Sequence, residues 1–104
     1  MAEKINKTIK KIIIEYSKII KTLIQYENIY LFGSYAKNTA NQDSDIDIAI
    51  IVDGNKIKNK FFLEYELMTK RRKIDLRIEP HILLKNELTT PFGNNILSKG
   101  IKIL

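Results

Sequence analysis

Residues 29–50 read IYLFGSYAKNTANQDSDIDIAI, and the fold turns on how this stretch is divided. Ile29-Tyr30-Leu31-Phe32 is a β-favouring run that stops at Gly33-Ser34, the mark of a strand ending in a tight turn. Ser34 to Ala40 is expected to begin a short helix, and Asn41-Gln42-Asp43-Ser44 is a polar turn cluster. Asp45 to Val52 reads as a second strand, closed by Asp53-Gly54-Asn55.

Upstream, from Glu3 to Tyr26, Ile5, Ile9, Ile12, Ile13, Tyr16, Ile19, Ile20, Leu23 and Ile24 recur at helical steps among Lys and Glu, which predicts an amphipathic helix. Downstream, Lys58 to Lys70 has a weaker helical pattern. A third strand is expected at Ile74 to Glu79, ended by Pro80, which has no N–H for a ladder. Ile82-Leu83-Leu84 reads as the start of a helix or loop, Phe92 to Ser98 as a short helix and Ile101 to Leu104 as a last strand. The order predicts one α/β (α+β) domain over residues 1–104, a small mixed sheet flanked by helices.

Composition narrows the chemistry. The chain has 104 residues and no Cys, which excludes disulfides, thiolate zinc sites, iron–sulfur clusters and a cysteine nucleophile. Ile12-Ile13-Ile14 is followed by Glu15 and Lys18, too short an apolar run for a membrane span, and no signal-peptide core precedes it, so a cytoplasmic protein is expected. A net charge of +6 suits nucleic acid, an acidic protein or a phosphorylated small molecule, but solvated lysine faces account for it equally well. The basic run Lys70 to Lys73 suits a helix C-terminus, so direct nucleic-acid binding is not favoured.

In the second strand, Asp45 and Asp47 share one face, with Ile46, Ile48 and Ile50 on the other. Carboxylates about 7 Å apart on an apolar strand repel one another unless a cation lies between them, although such a pair can also serve as edge-strand charges. Asp75, between Ile74 and Leu76, could join them if the strands are neighbours. Carboxylates without a soft ligand favour magnesium or manganese, and the single His81 cannot form a zinc site and reads as a surface or turn residue. Gly33-Ser34 sits where backbone N–H groups could face an anion. A phosphate cradle beside a cation site points to a nucleoside triphosphate, and no Walker A or G-x-G-x-x-G sequence is present.

The spacing Gly33-Ser34, ten residues, then Asp45-Ile46-Asp47, with the later Asp75 in KIDLRI, closely resembles the signature of the polymerase-beta-like nucleotidyltransferase superfamily. It is most similar to its minimal nucleotidyltransferases, the MntA-type antitoxins paired with HEPN-type toxins. The resemblance covers residues 28–79 well and the tail loosely. One departure is Asn38, where the family usually has Gly; Asn tolerates left-handed backbone angles better than most residues.

The resemblance implies the nucleotidyltransferase fold, ATP as substrate and two Mg2+ ions held by Asp45, Asp47 and Asp75, with Asp75 completing the site that activates the attacking hydroxyl. Gly33 and Ser34 would hold phosphates. Lys37 reads from its place on the turn either as a further phosphate contact or as a solvated lysine, and Arg77, one strand period beyond Asp75, is a weaker candidate. It further implies transfer of AMP from ATP to a tyrosine hydroxyl of a HEPN-type RNase toxin, with the first helix available to dock that partner. Two alternatives stay open: a nucleotidyltransferase acting on a small molecule such as an aminoglycoside, and an antitoxin that acts by contact alone.

Overall fold

A computed structural model of the chain describes residues 6–104, so the part of the expected first helix that falls on residues 3–5 lies outside the described residues. Helix α1 spans Lys7–Leu23. The Asn6 side chain caps it, accepting from the Thr8 and Ile9 amides at 2.9 and 3.2 Å. Ile9, Ile13, Tyr16 and Ile20 are buried, each such isoleucine contributing about 1.5–3 kcal/mol relative to exposure. The apolar stripe of α1 is thus used by the core, and its lysine-rich side faces outward.

Strand β1 is Asn28–Phe32 and β2 is Ile46–Val52, paired antiparallel. Helix α2, Lys60–Lys70, is capped by Asn59, whose side chain accepts from the Phe62 amide at 3.0 Å. Strand β3 is Ile78–Leu84, parallel to β2, and β4 is Ile101–Lys102, antiparallel to β1. Helix α3, Pro91–Lys99, starts with Pro at its first turn and Thr90 as cap. The sheet order is β3-β2-β1-β4.

The strand period sorts the side chains onto two faces. Ile29, Leu31, Ile46, Ile48, Ile50, Val52, Ile78 and Ile82 pack with α1 and α2. Ala49, Ile51 and Leu83 meet Ile96 of α3 on the opposite face. This is the expected small mixed sheet with helices on it. Among the described residues no helix is long and apolar enough to cross a membrane.

Two expectations are corrected. The third strand does not run from Ile74 to Glu79 and stop at Pro80; it starts at Ile78, passes through Pro80 and includes Ile82-Leu83-Leu84. Strand β3 is the edge of the sheet, where a missing N–H costs no ladder bond. Side chains occupy several of its outward groups: Arg71 Nη1 donates to the Ile78 carbonyl at 2.7 Å, the Ile82 amide to Glu64 at 3.3 Å and the Leu84 amide to Glu87 at 2.9 Å. Second, the helix expected from Ser34 to Ala40 is only a 3-10 turn, Gly33–Tyr35, followed by turns.

Candidate active site

The antiparallel register sets Phe32 opposite Asp47 and Tyr30 opposite Ala49; the parallel register sets Glu79 beside Asp47 and His81 beside Ala49. One face of the sheet therefore carries a row Phe32–Asp47–Glu79 and, behind it, a row Tyr30–Ala49–His81. Ala49 lies under α3, whereas Asp47 is half-buried and Asp45, just before β2, is exposed. Asp45 and Asp47 hold the expected relation, on the face away from Ile46, Ile48 and Ile50.

Gly33 follows directly after Phe32 and so comes against Asp47. Its φ is +74°, and a side-chain carbon on it would collide with Asp47 Oδ2. Both constraints demand glycine. The Gly33 carbonyl accepts from the Ala36 and Lys37 amides at 3.1 Å each, and the Ser34 carbonyl from the Thr39 amide at 2.9 Å. Asn38 has φ +61°, the left-handed conformation anticipated for it, so the turn closes without glycine there. The Lys37 side chain is exposed on this turn. With one 3-10 turn in place of a helix, no macrodipole adds to the site, and an anion here would rely on local amides, the Ser34 hydroxyl and the Lys37 ammonium.

Asp75 departs from expectation. It lies three residues before β3, and its carboxylate is turned onto Arg77: Oδ1 accepts from the Arg77 amide at 2.9 Å and from Nε at 3.0 Å, and Oδ2 from Nη2 at 2.8 Å. The Arg77 side-chain hydrogen bonds hold the Asp75 carboxyl below the usual carboxylate range, and the Asp75 carboxylate raises Arg77. Arg77 Nη1 also donates to the Tyr35 hydroxyl at 3.1 Å and the Gln42 carbonyl at 2.9 Å, while Tyr35 donates to the Asn41 carbonyl at 2.9 Å. The pair is a clamp that fastens the loop between β1 and β2 to the start of β3. Among the described residues no three His, Cys, Asp or Glu side chains are already drawn together as a metal cluster, neither Asp45, Asp47 and Asp75 nor Asp45, Asp47 and Glu79.

The carboxylate that shares a row with Asp47 is Glu79, on a strand about 4.8 Å away. Arg71 Nη1 stands 3.4 Å from Glu79 Oε1. His81 is not in a turn: it lies within β3 with its side chain partly exposed, its Nε2 is buried without a hydrogen-bond partner, and that nitrogen is 3.6 Å from Asp47 Oδ1. Both residues could have been found from the sequence. Ile78-Glu79-Pro80-His81-Ile82 alternates with the strand period, and the proline concealed it.

The donor set is that of a hard divalent cation. Asp45, Asp47 and Glu79 offer carboxylate oxygens alone, and Mg2+ is typically held by one or two carboxylates together with substrate phosphates rather than by an all-protein cage. The glycine lets the signature turn approach the Asp47 carboxylate closely, so that phosphates on the turn would lie beside it. In donor chemistry the carboxylates suit such an ion, which substrate phosphates would help to hold. The apolar groove lined by Leu23, Ile24, Ile57, Phe62 and Leu63 includes none of these carboxylates.

Comparison with known proteins gives a consistent result. A family model described as "Polymerase beta, Nucleotidyltransferase" matches residues 7–104. "Putative protein adenylyltransferase MJ1379" of Methanocaldococcus jannaschii is 35% identical over 94 residues, covering 89% of this chain and 91% of its own. "Putative protein adenylyltransferase MJ0141" of the same organism is 30% identical over 96 residues, covering 89% and 96%. Among solved structures, one described as "Crystal structure of the toxin-antitoxin with AMP-PNP" superposes with a TM-score of 0.68 at 26% identity, covering 91% of this chain and 72% of that one.

Proposed function

Because the chain belongs to the polymerase beta nucleotidyltransferase family, we propose that this nucleotidyltransferase is a magnesium-dependent protein adenylyltransferase, an antitoxin that transfers AMP from ATP to a tyrosine hydroxyl of a HEPN-type toxin. The observation that carries the reading is the placement of Asp47 between the Gly33 turn and Glu79, with Asp45 beside it at the mouth of β2. The names of the relatives and the toxin-antitoxin neighbour with AMP-PNP support the choice of nucleotide and partner.

In this reading Asp45, Asp47 and Glu79 hold magnesium; Asp75, turned onto Arg77, keeps the loop in place. Bound magnesium would supply positive charge to the triphosphate and lower the pKa of the acceptor hydroxyl. The Gly33-Ser34 turn receives the β- and γ-phosphates, with Lys37 as an exposed further contact. The acceptor oxygen attacks the α-phosphorus, forming one P–O bond while the bond from that phosphorus to the bridging oxygen breaks and pyrophosphate leaves. The hydroxyl proton passes to a carboxylate oxygen of Glu79. Ser34 and the turn amides face charge on the leaving pyrophosphate.

The test mixes purified protein, magnesium and α-phosphate-labelled ATP with lysate of the source cells, beside an Asp45→Asn/Asp47→Asn variant. A labelled protein band with the wild type and none with the variant is the expected result. Magnesium-dependent ATP binding without a band would replace the protein acceptor by a small molecule. Neither binding nor a band would leave an antitoxin acting by contact alone.

A further inference from the structure

The face that carries Asp47 has an aromatic wall. Phe32, opposite Asp47 and joined directly to Gly33, has its ring centroid 5.2 Å from that of His81 and 5.6 Å from that of Phe92, both edge-on. His81 and Phe92 are 6.5 Å apart. Phe92 enters at the first turn of α3, the helix that covers Ala49 and Ile51 behind the carboxylate row. Unlike Gly93 and Ile96 of the same helix, which are buried, Phe92 is 49% exposed. Half of a large apolar ring thus remains in water beside Phe32, where α3 begins.

We propose that this wall receives the base of the bound nucleotide, with Phe92 as the ring that stacks on it. The inference rests on the nucleotide reading above and adds a residue and a selectivity to it. A nucleotide whose β- and γ-phosphates lie on the Gly33 turn has its base beyond the α-phosphate and one ribose, and the apolar surface that starts at Phe32, covalently next to that turn, extends to Phe92. Apolar and aromatic walls with few polar groups are the usual lining of small-ligand sites. An aromatic ring reads the π-face that every base possesses, so it rewards ring area and not edge pattern. Phe92 therefore favours purines over pyrimidines and separates adenine from guanine little.

Titration calorimetry of the full chain with magnesium and, in turn, ATP, GTP, CTP, UTP and tripolyphosphate tests this, for the wild type, Phe92→Ala, Phe92→Leu and Phe92→Tyr. The expected wild-type order is ATP close to GTP, then the pyrimidines, then tripolyphosphate. Phe92→Ala should weaken the purine nucleotides about ten-fold, leave tripolyphosphate unchanged and so compress the order, with Phe92→Tyr restoring it. Phe92→Leu preserves apolar bulk without the ring; it should behave like Phe92→Ala and stands in for it if that variant does not fold. An equal loss for ATP and tripolyphosphate, or no loss for ATP, overturns the proposal while the nucleotide reading survives. A wild type that binds neither overturns both.

Discussion

Gly33 occupies space against Asp47 that no other residue could share: its α carbon carries φ +74°, and a methyl there would meet the Asp47 carboxylate. The contact follows from register, since Phe32 opposite Asp47 brings the next residue of the turn against that side chain. The Gly33→Ala variant should lose nucleotidyl transfer through displacement of Asp47 and lose about 1–2 kcal/mol of stability from the left-handed backbone. That is a fall of several degrees in Tm, read by thermal denaturation beside the labelled-ATP assay.

The proposed function gives the acidic residues separable roles. Glu79→Gln should abolish transfer with little change in Tm, as should Asp47→Asn, whereas Asp75→Asn should keep measurable transfer and lower Tm. Labelled-ATP transfer and thermal melts on the three variants check this. Full loss of chemistry in Asp75→Asn with Glu79→Gln active would return Asp75 to the site.

The Asp75–Arg77 clamp carries a pH dependence with a defined sign. Hydrogen bonds from Arg77 lower the folded-state pKa of Asp75, so the folded state binds the proton less readily than the unfolded chain. Its stabilisation is complete above the unfolded value of about 4 and is lost as pH falls through the lower folded value. Denaturant melts from pH 6 downward should show this loss in the wild type and a shallower dependence in Asp75→Asn.

Tyr16 joins α1 to α2 through its hydroxyl, which donates to the Leu67 carbonyl at 2.5 Å inside the core. Burial pushes this phenol well above its ordinary pKa, so it stays a donor throughout the working range. The Leu67 carbonyl also accepts the Arg71 amide, so Tyr16→Phe leaves it bonded. The expected cost is about 1 kcal/mol, measured by urea unfolding.

Asn38 closes the signature turn at φ +61°. Asn38→Gly should leave Tm within a degree or two and transfer unchanged, since glycine accepts this conformation at no steric cost. Asn38→Val should lower both, because a β-branched side chain is a true outlier there. Paired melts and transfer assays distinguish the two.

What the sequence by itself determined was local. The alternation in Asp45-Ile46-Asp47-Ile48 placed both carboxylates on one face, the run Ile29–Phe32 before Gly33 set the strand and its turn, and the 3.6-residue stripe of α1 identified its buried side. The left-handed Asn38 also belongs here, since conformational tolerance is a property of the residue. Tertiary structure decided which third acidic residue stands beside Asp47. Asp75 and Glu79 are both legible as acids near a strand, but only the pairing of β3 with β2 selects Glu79, and only the fold brings Arg77 to Asp75, Tyr35 and Gln42 at once. Pro80 broke the local signal for β3 because its meaning depends on position: in a central strand it would have ended the ladder, and at an edge it removes an N–H that no neighbour needs. Edge or centre is set by contacts between residues far apart in the chain, and no window of sequence contains them.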